Sequence, residues 1–155
     1  MYKNVMVPLD GSQFSECSLD HAKAIASGCN VPEVVLVRVV EPISDSDVFL
    51  TGIRGEVVTQ VESSRDAEAK EYISRMVEKL KEEGISAKGD TVYGNAAEEI
   101  LDYAEKNKID LIVISTHGRS GISRFAFGSV ADRVVRNAMV PVLLVTPSGC
   151  RVKQD

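Results

Sequence analysis

The chain has 155 residues, 44% hydrophobic and 26% charged, which fits one globular domain at roughly 100–200 residues per domain and excludes disorder and collagen-like repeats. Eighteen Lys and Arg against 23 Asp and Glu leave a net charge of −5, so phosphate backbones and anionic lipid surfaces are repelled and neither general nucleic-acid binding nor membrane association is expected. No apolar run reaches the about 18 residues of a membrane span, and the N-terminal residues lack the apolar stretch of a signal peptide, so the expectation is a cytoplasmic protein.

Short apolar runs alternate with longer amphipathic stretches. Val5-Met6-Val7 reads as a first strand, ending in Pro8-Leu9-Asp10-Gly11-Ser12. From Phe14 to about Ser27 the apolar positions keep a helical period, and Gly28 offers a stop. Val34 to Val40 is β-branched and apolar except for Arg38, the pattern of a strand buried on both faces in a parallel sheet. Residues 41–56 show no period and contain two glycines, and they read as a long loop.

A long helix follows, with Val58, Val61, Ala69, Tyr72, Ile73, Met76, Val77 and Leu80 on one stripe and Gly84 as its stop. Ile85 to Tyr93 reads as a strand nearer the sheet edge. Asn95 and Glu98 form a capping-box-like pair before a helix whose inner face is Ala97, Ile100, Leu101 and Ala104. Leu111 to Ile114 is a second central strand. A helix starting at Gly128-Ser129 turns Val130, Ala131, Val134, Val135 and Ala138 inward. Val140 to Val145 is the last strand, placed at a sheet edge by Pro141, which can donate no ladder hydrogen bond. The result is a βαβαβαβαβ domain over residues 1–147, with a tail over 148–155. Such alternation predicts an open parallel sheet with helices on both faces. Three cysteines without CxxC or Cys/His spacing argue against a disulfide framework or a structural zinc site, and Cys17 and Cys29 are expected to be small buried thiols.

In open α/β sheets ligands sit beyond the carboxyl ends of the strands, where strand order reverses. Two strand ends have the composition for it: residues 8–12, and the loop of residues 115–129, rich in Gly, Ser and Arg, that runs into a helix N-terminus. Such a terminus exposes N–H groups and partial positive charge. From His117 to Arg136 there are four arginines (119, 124, 133, 136) against Asp132, a local excess of +3 in an acidic chain. That suits a specific anion site better than a polyanion surface. Neither GxxxxGK[ST] nor GxGxxG after the first strand is present, which disfavours a Walker P-loop and a dinucleotide-binding Rossmann unit. Gly118-Arg119-Ser120-Gly121 matches the short GXXG of RNA-binding KH domains, but in the wrong context.

At this loop the chain resembles the universal stress protein family, whose signature is Gly, two residues, Gly, nine residues, then Gly-Ser or Gly-Thr. Gly118, residues 119–127 and Gly128-Ser129 match its second half, while Ser115 stands at its first glycine. Residues 5–12 and 140–145 resemble the family's first and last strands. The resemblance implies a doubly wound five-stranded sheet of order 3-2-1-4-5, often a homodimer through the last strand (Val140 to Val145), and ATP binding in many members but not all.

It places phosphates and ribose at Gly118, Gly128, Ser129 and the Val130 N–H, ribose and adenine near Asp10 beside Pro8, and adenine at the backbone of Val39. Mg²⁺ or Mn²⁺ would accompany the triphosphate, with no protein cage and no lysine aimed at it. A Cβ at Ser115 restricts φ and crowds one close approach, so weakened or reshaped binding is expected there. The leading reading is therefore a nucleotide-binding regulatory stress-response protein without catalytic residues. The rivals are a dimeric interaction protein without nucleotide, and a slow ATP hydrolase using Asp10 or His117. Bland readings stand beside these: Asp10 as a turn residue, Ser129 as a helix cap, His117 as a plain loop residue, and Phe125 and Phe127 as packing.

Overall fold

The structure is a computed structural model that describes residues 1–52, 55–116 and 128–146. Its elements in order are β1 (Asn4–Pro8), α1 (Gln13–Cys29), β2 (Glu33–Val40), α2 (Asp45–Thr51), α3 (Glu56–Glu82), β3 (Ala87–Tyr93), α4 (Ala96–Lys106), β4 (Leu111–Ser115), α5 (Ser129–Asn137) and β5 (Val142–Val145). The five strands form one sheet of order β3-β2-β1-β4-β5, and every pair is parallel. The fold is thus the doubly wound α/β sheet expected, with β3 and β5 at its edges. Among the described residues no helix is long and apolar enough to cross a membrane.

Side chains alternate across a strand, so each central strand feeds two cores. Val5, Val7, Leu36, Leu111 and Val113 pack on the α1/α3 face with Leu19, Ala22, Ile73 and Leu80. Met6, Val35, Val37, Ile112 and Ile114 pack on the α4/α5 face with Ile100, Ala104, Ala131 and Val134. This two-sided burial explains why the central strands read as nearly unbroken apolar runs.

Local chemistry sets the element ends. Ser12 caps α1 by accepting from Ser15 N, and Asn95 caps α4 by accepting from Glu98 N. Helix α1 runs past Gly28 and stops at Asn30, which takes the left-handed conformation usually left to glycine (φ 52°). The 41–56 segment is not the loop expected: it contains α2, opened by a reciprocal box between Ser44 and Asp47 and closed by Gly52 at φ 67°. That helix buries no residue and leaves Phe49 and Leu50 82% and 80% exposed, so no apolar period announced it.

Four further expectations are corrected. Val135 on α5 is exposed, because Ala131 and Val134 take the inner face. Strand β3 starts at Ala87 and β5 at Val142, each two residues late. Cys17 is buried but disulfide-bonded, leaving Cys29 as the free cysteine among the described residues.

Helix α3 crosses β3 where Gly89 leaves room: a Cβ there would overlap Ile73 Cγ2 and press on Val77 Cγ2. Gly89→Ala overpacks this contact and should cost about 1–3 kcal/mol. That corresponds to a melting-temperature fall of roughly 3–10 °C for a domain of this size. An unchanged transition in a thermal melt would show that α3 does not seat on β3 at this point.

Candidate functional site

The sheet opens at its switch point for a reason visible in the hydrogen-bond parity. Asn4 O accepts from Asp110 N, and Leu9 N donates to Val37 O (2.9 and 2.8 Å). In a parallel ladder alternate residues serve opposite neighbours, so even-numbered β1 residues face β4 and odd-numbered ones face β2. Pro8 therefore faces β4 with no N–H to give, and the next rung cannot form. The β1–β4 register accordingly ends at Met6↔Ile112, whereas β1–β2 runs on to Pro8↔Val37. Past that point β1 and β4 part, and a cavity of about 710 Å³ sits over the split.

The same parity aims main-chain groups into the split. On β2, Val40 O takes Gly94 N from beyond β3, and Val37 O takes Leu9 N from β1. Val39 therefore turns its N–H and C=O toward β1, past the last β1–β2 pair. On β4, Ile112 N and Thr116 N donate toward β5, to Pro141 O and Val145 O. Ser115 thus turns its own main-chain groups toward β1 beyond the end of that ladder. A residue offering one donor and one acceptor at a cavity wall can read a planar heterocycle edge without any side chain.

The β1–α1 turn forms one lip. Gly11 has φ 85°, which brings Asp10 over the cavity. Asp10 Oδ1 accepts from Ser12 N (2.9 Å) and Ser12 Oγ (2.6 Å), while Ser12 Oγ accepts from Ser15 N (3.1 Å). The turn-residue reading of Asp10 is therefore correct, and it fixes where the carboxylate sits. The opposite lip is the start of α5. Gly128 N donates to Thr116 O (2.6 Å), so the chain leaves β4 and enters α5 at one place. Gly128, Ser129 and Val130 line the cavity there, where the first turn's N–H groups have no intrahelical acceptor.

Pro8, Asp10, Val39, Ser115, Gly128, Ser129 and Val130, singled out from sequence, are thus gathered around one cavity. Gly118, His117, Phe125, Phe127 and the arginines at 119 and 124 lie outside the described residues. Arg133 and Arg136 pair with Glu98 and Asp132 on α4 and α5, and neither lines the cavity.

Sequence reasoning missed the wall supplied by α3: Arg65, Glu68, Ala69, Tyr72 and Arg75. These positions form a helical stripe, but most of the stripe is polar and it was hidden beside the apolar one. Arg38 and Glu41 at the end of β2 join them. Glu41 Oε1 accepts from Ala96 N (3.0 Å), tying the exit of β2 to the start of α4. Tyr72 donates to Glu16 Oε1 (3.1 Å), and burial, reinforced by the Glu16 charge, pushes its phenol above the ordinary value, so it stays a neutral donor. The cavity has two halves. Val37, Val39, Ile100, Ile114 and Ala131 make it apolar on the α4/α5 side, while Asp10, Ser15, Arg38 and the α3 stripe make it polar on the other.

Comparison with known proteins gives a consistent picture. The model of the universal stress protein family matches residues 1–146. The chain is 35% identical over 145 residues to the universal stress protein MJ0531 of Methanocaldococcus jannaschii, covering 94% of this chain and 82% of the relative. It is 30% identical over 155 residues to MJ0577 of the same organism, covering 94% and 95%. The solved structure of MJ0577 superposes with a TM-score of 0.79 at 28% identity, over 94% of this chain and 96% of that one. The fold is shared with a universal stress protein of Archaeoglobus fulgidus solved in complex with dAMP (TM-score 0.63, 24% identity, 92% and 97% covered). It is shared too with a universal stress protein solved with cAMP (TM-score 0.58, 23% identity, 94% and 97% covered).

If the missing N–H of Pro8 is what stops the ladder, Pro8→Ala should extend it by one rung. Amide exchange followed by NMR is then expected to find the new residue-8 amide protected like those of the β1 interior. Exchange at the rate of an open amide would place the cause of the split elsewhere.

Proposed function

Because the chain belongs to the universal stress protein family, we propose that it is a nucleotide-binding regulatory protein of the stress response, with ATP as the ligand of the cleft over the β1–β4 split. The observation that carries this reading is the convergence of Val39 and Ser115 main-chain groups with the α5 N-terminus on one cavity. Adenine enters the apolar half, where the Val39 N–H and C=O meet the acceptor and donor of its base-pairing edge. Asp10, held in place by Ser12, accepts from the ribose hydroxyls. The phosphates turn to Gly128, Ser129 and the Val130 N–H, where first-turn amides without an intrahelical acceptor and the helix dipole favour negative charge. The dAMP and cAMP complexes of proteins with this fold support an adenine nucleotide as the ligand class.

The cavity volume falls within the range of small-molecule sites. Mg²⁺ or Mn²⁺ would arrive on the phosphate oxygens; among the described residues no group of three His, Cys, Asp or Glu offers a cage for it. The role is regulatory binding, since Asp10 Oδ1 already accepts two hydrogen bonds from Ser12 and is positioned as a hydrogen-bond acceptor more than as a base.

The β5 edge supports a homodimer. It is an unpaired sheet edge in the described chain, with Leu143 partly exposed on it and Met139 98% exposed just before it. Leu143→Lys should then convert a dimer into a monomer in sedimentation velocity, whereas a wild-type monomer would remove this part of the reading.

Calorimetric titration with Mg-ATP should show one site per chain. At a ligand concentration of 100 times Kd, binding stabilises by about 2.7 kcal/mol, seen as a rise in melting temperature of roughly 5–10 °C. Gly128→Ala puts a methyl group against the approaching phosphates and is expected to weaken binding at least about tenfold, or 1.4 kcal/mol. A flat titration together with identical melting curves with and without Mg-ATP would leave the dimeric interaction protein as the better account.

A further inference from the structure

Three guanidinium groups stand on the side of the cleft that a 5′-phosphate chain does not use. Arg38 leaves β2 on the α1/α3 face, because its neighbours Val37 and Val39 point to the other. Its Nη1 donates to Leu9 O (3.4 Å), which places the guanidinium against the turn that carries Asp10. Arg65 and Arg75 reach the same half of the cavity from α3, and Arg75 is held at its rim by Glu71 (2.7 Å). The carboxylates lining this half are Asp10, Glu41 and Glu68, equal in number to the arginines; Glu41 is engaged by Ala96 N, and the three cations are gathered at one wall of a chain of net charge −5. With the ribose hydroxyls on Asp10 and the 5′ chain at α5, these cations face the 2′ and 3′ edge of the sugar, where AMP or ATP offers only hydroxyls.

We propose, resting on the nucleotide reading above, that the cleft takes adenine nucleotides bearing a second phosphate on the ribose 2′ or 3′ oxygen, with Arg38 as its principal ligand and Arg65 and Arg75 closing around it. A strand residue suits that role. Its backbone is fixed by pairing on β3, Arg38↔Thr91, and a planar fork can engage two phosphate oxygens at once. Asp10 and Arg38 then divide the sugar between them: the carboxylate takes the remaining hydroxyl and the guanidinium takes the phosphate, the same division by charge that separates 2′-hydroxyl from 2′-phosphate recognition in dinucleotide folds.

The test is calorimetric titration of the full chain with AMP, adenosine 3′,5′-bisphosphate and adenosine 2′,5′-bisphosphate. One bisphosphate is expected to bind at least about tenfold tighter than AMP, and which one it is identifies the oxygen. In Arg38→Gln the ratio of the two affinities should fall to near one, and Arg38→Lys should keep part of it. The double variant Arg65→Gln/Arg75→Gln, made at exposed positions that do not disturb the sheet, should also reduce the ratio. If AMP binds and neither bisphosphate gains over it, this inference is overturned while the nucleotide site stands. If none of the three ligands nor Mg-ATP binds, both readings fall together.

Discussion

A parallel sheet spends the polar groups of its strands on one another, and a ligand can use them only where the ladder is interrupted. In this protein the interruption follows from one residue: Pro8 faces β4 and has no N–H, so β1 and β4 part after Met6 and Ile112. The cavity and the placement of Ser115 follow from that parting, and Val39, lying past the last β1–β2 pair, turns its amide and carbonyl toward the same gap. A proline inside a central strand would ordinarily argue against a strand. At the carboxyl end of β1 it closes one ladder while leaving the other, toward β2, intact for two further residues.

Around this gap the two faces of the sheet supply different chemistry. The α4/α5 face continues the apolar core up to the cavity wall, through Val37, Ile100 and Ile114. The α1/α3 face ends in the Asp10–Ser12–Ser15 turn, Arg38 and the polar stripe of α3. One side therefore suits a flat apolar base and the other the hydroxyls and charges of a sugar phosphate. Ser115 sits at the junction, with its side chain on the polar face beside Val113 and its main chain aimed into the gap.

Much of the fold was legible because burial on both faces leaves continuous β-branched runs, and because Gly84 and Asn95 punctuate helices by well-understood chemistry. The edge position of β5 could be read from Pro141, whose carbonyl accepts from Ile112 N just before the strand begins. Helix α2 escaped notice because it buries nothing: Ser44 and Asp47 were a capping box in plain view, but Phe49 and Leu50 had no inner face to mark. Arg38 read as a blemish in an apolar strand, since only the strand order shows that its position lies beyond the end of β1. The α3 wall was hidden for a similar reason, its five cavity positions being spread over eleven residues of a helix whose apolar stripe draws the eye. Pro8 was noticed for its neighbours; its real consequence depends on which strand lies on which side.

The central claim is that an adenine nucleotide docks on the main chain exposed by the β1–β4 split, and titration of ¹⁵N-labelled protein with Mg-ATP tests it most directly. The largest amide shift changes should fall on Val39, Ser115 and residues 128–130, with Gly11 and Ser12 following as the Asp10 turn takes the ribose. Changes concentrated on the exposed face of α2 or along β5, with Val39 and the start of α5 unmoved, would contradict it.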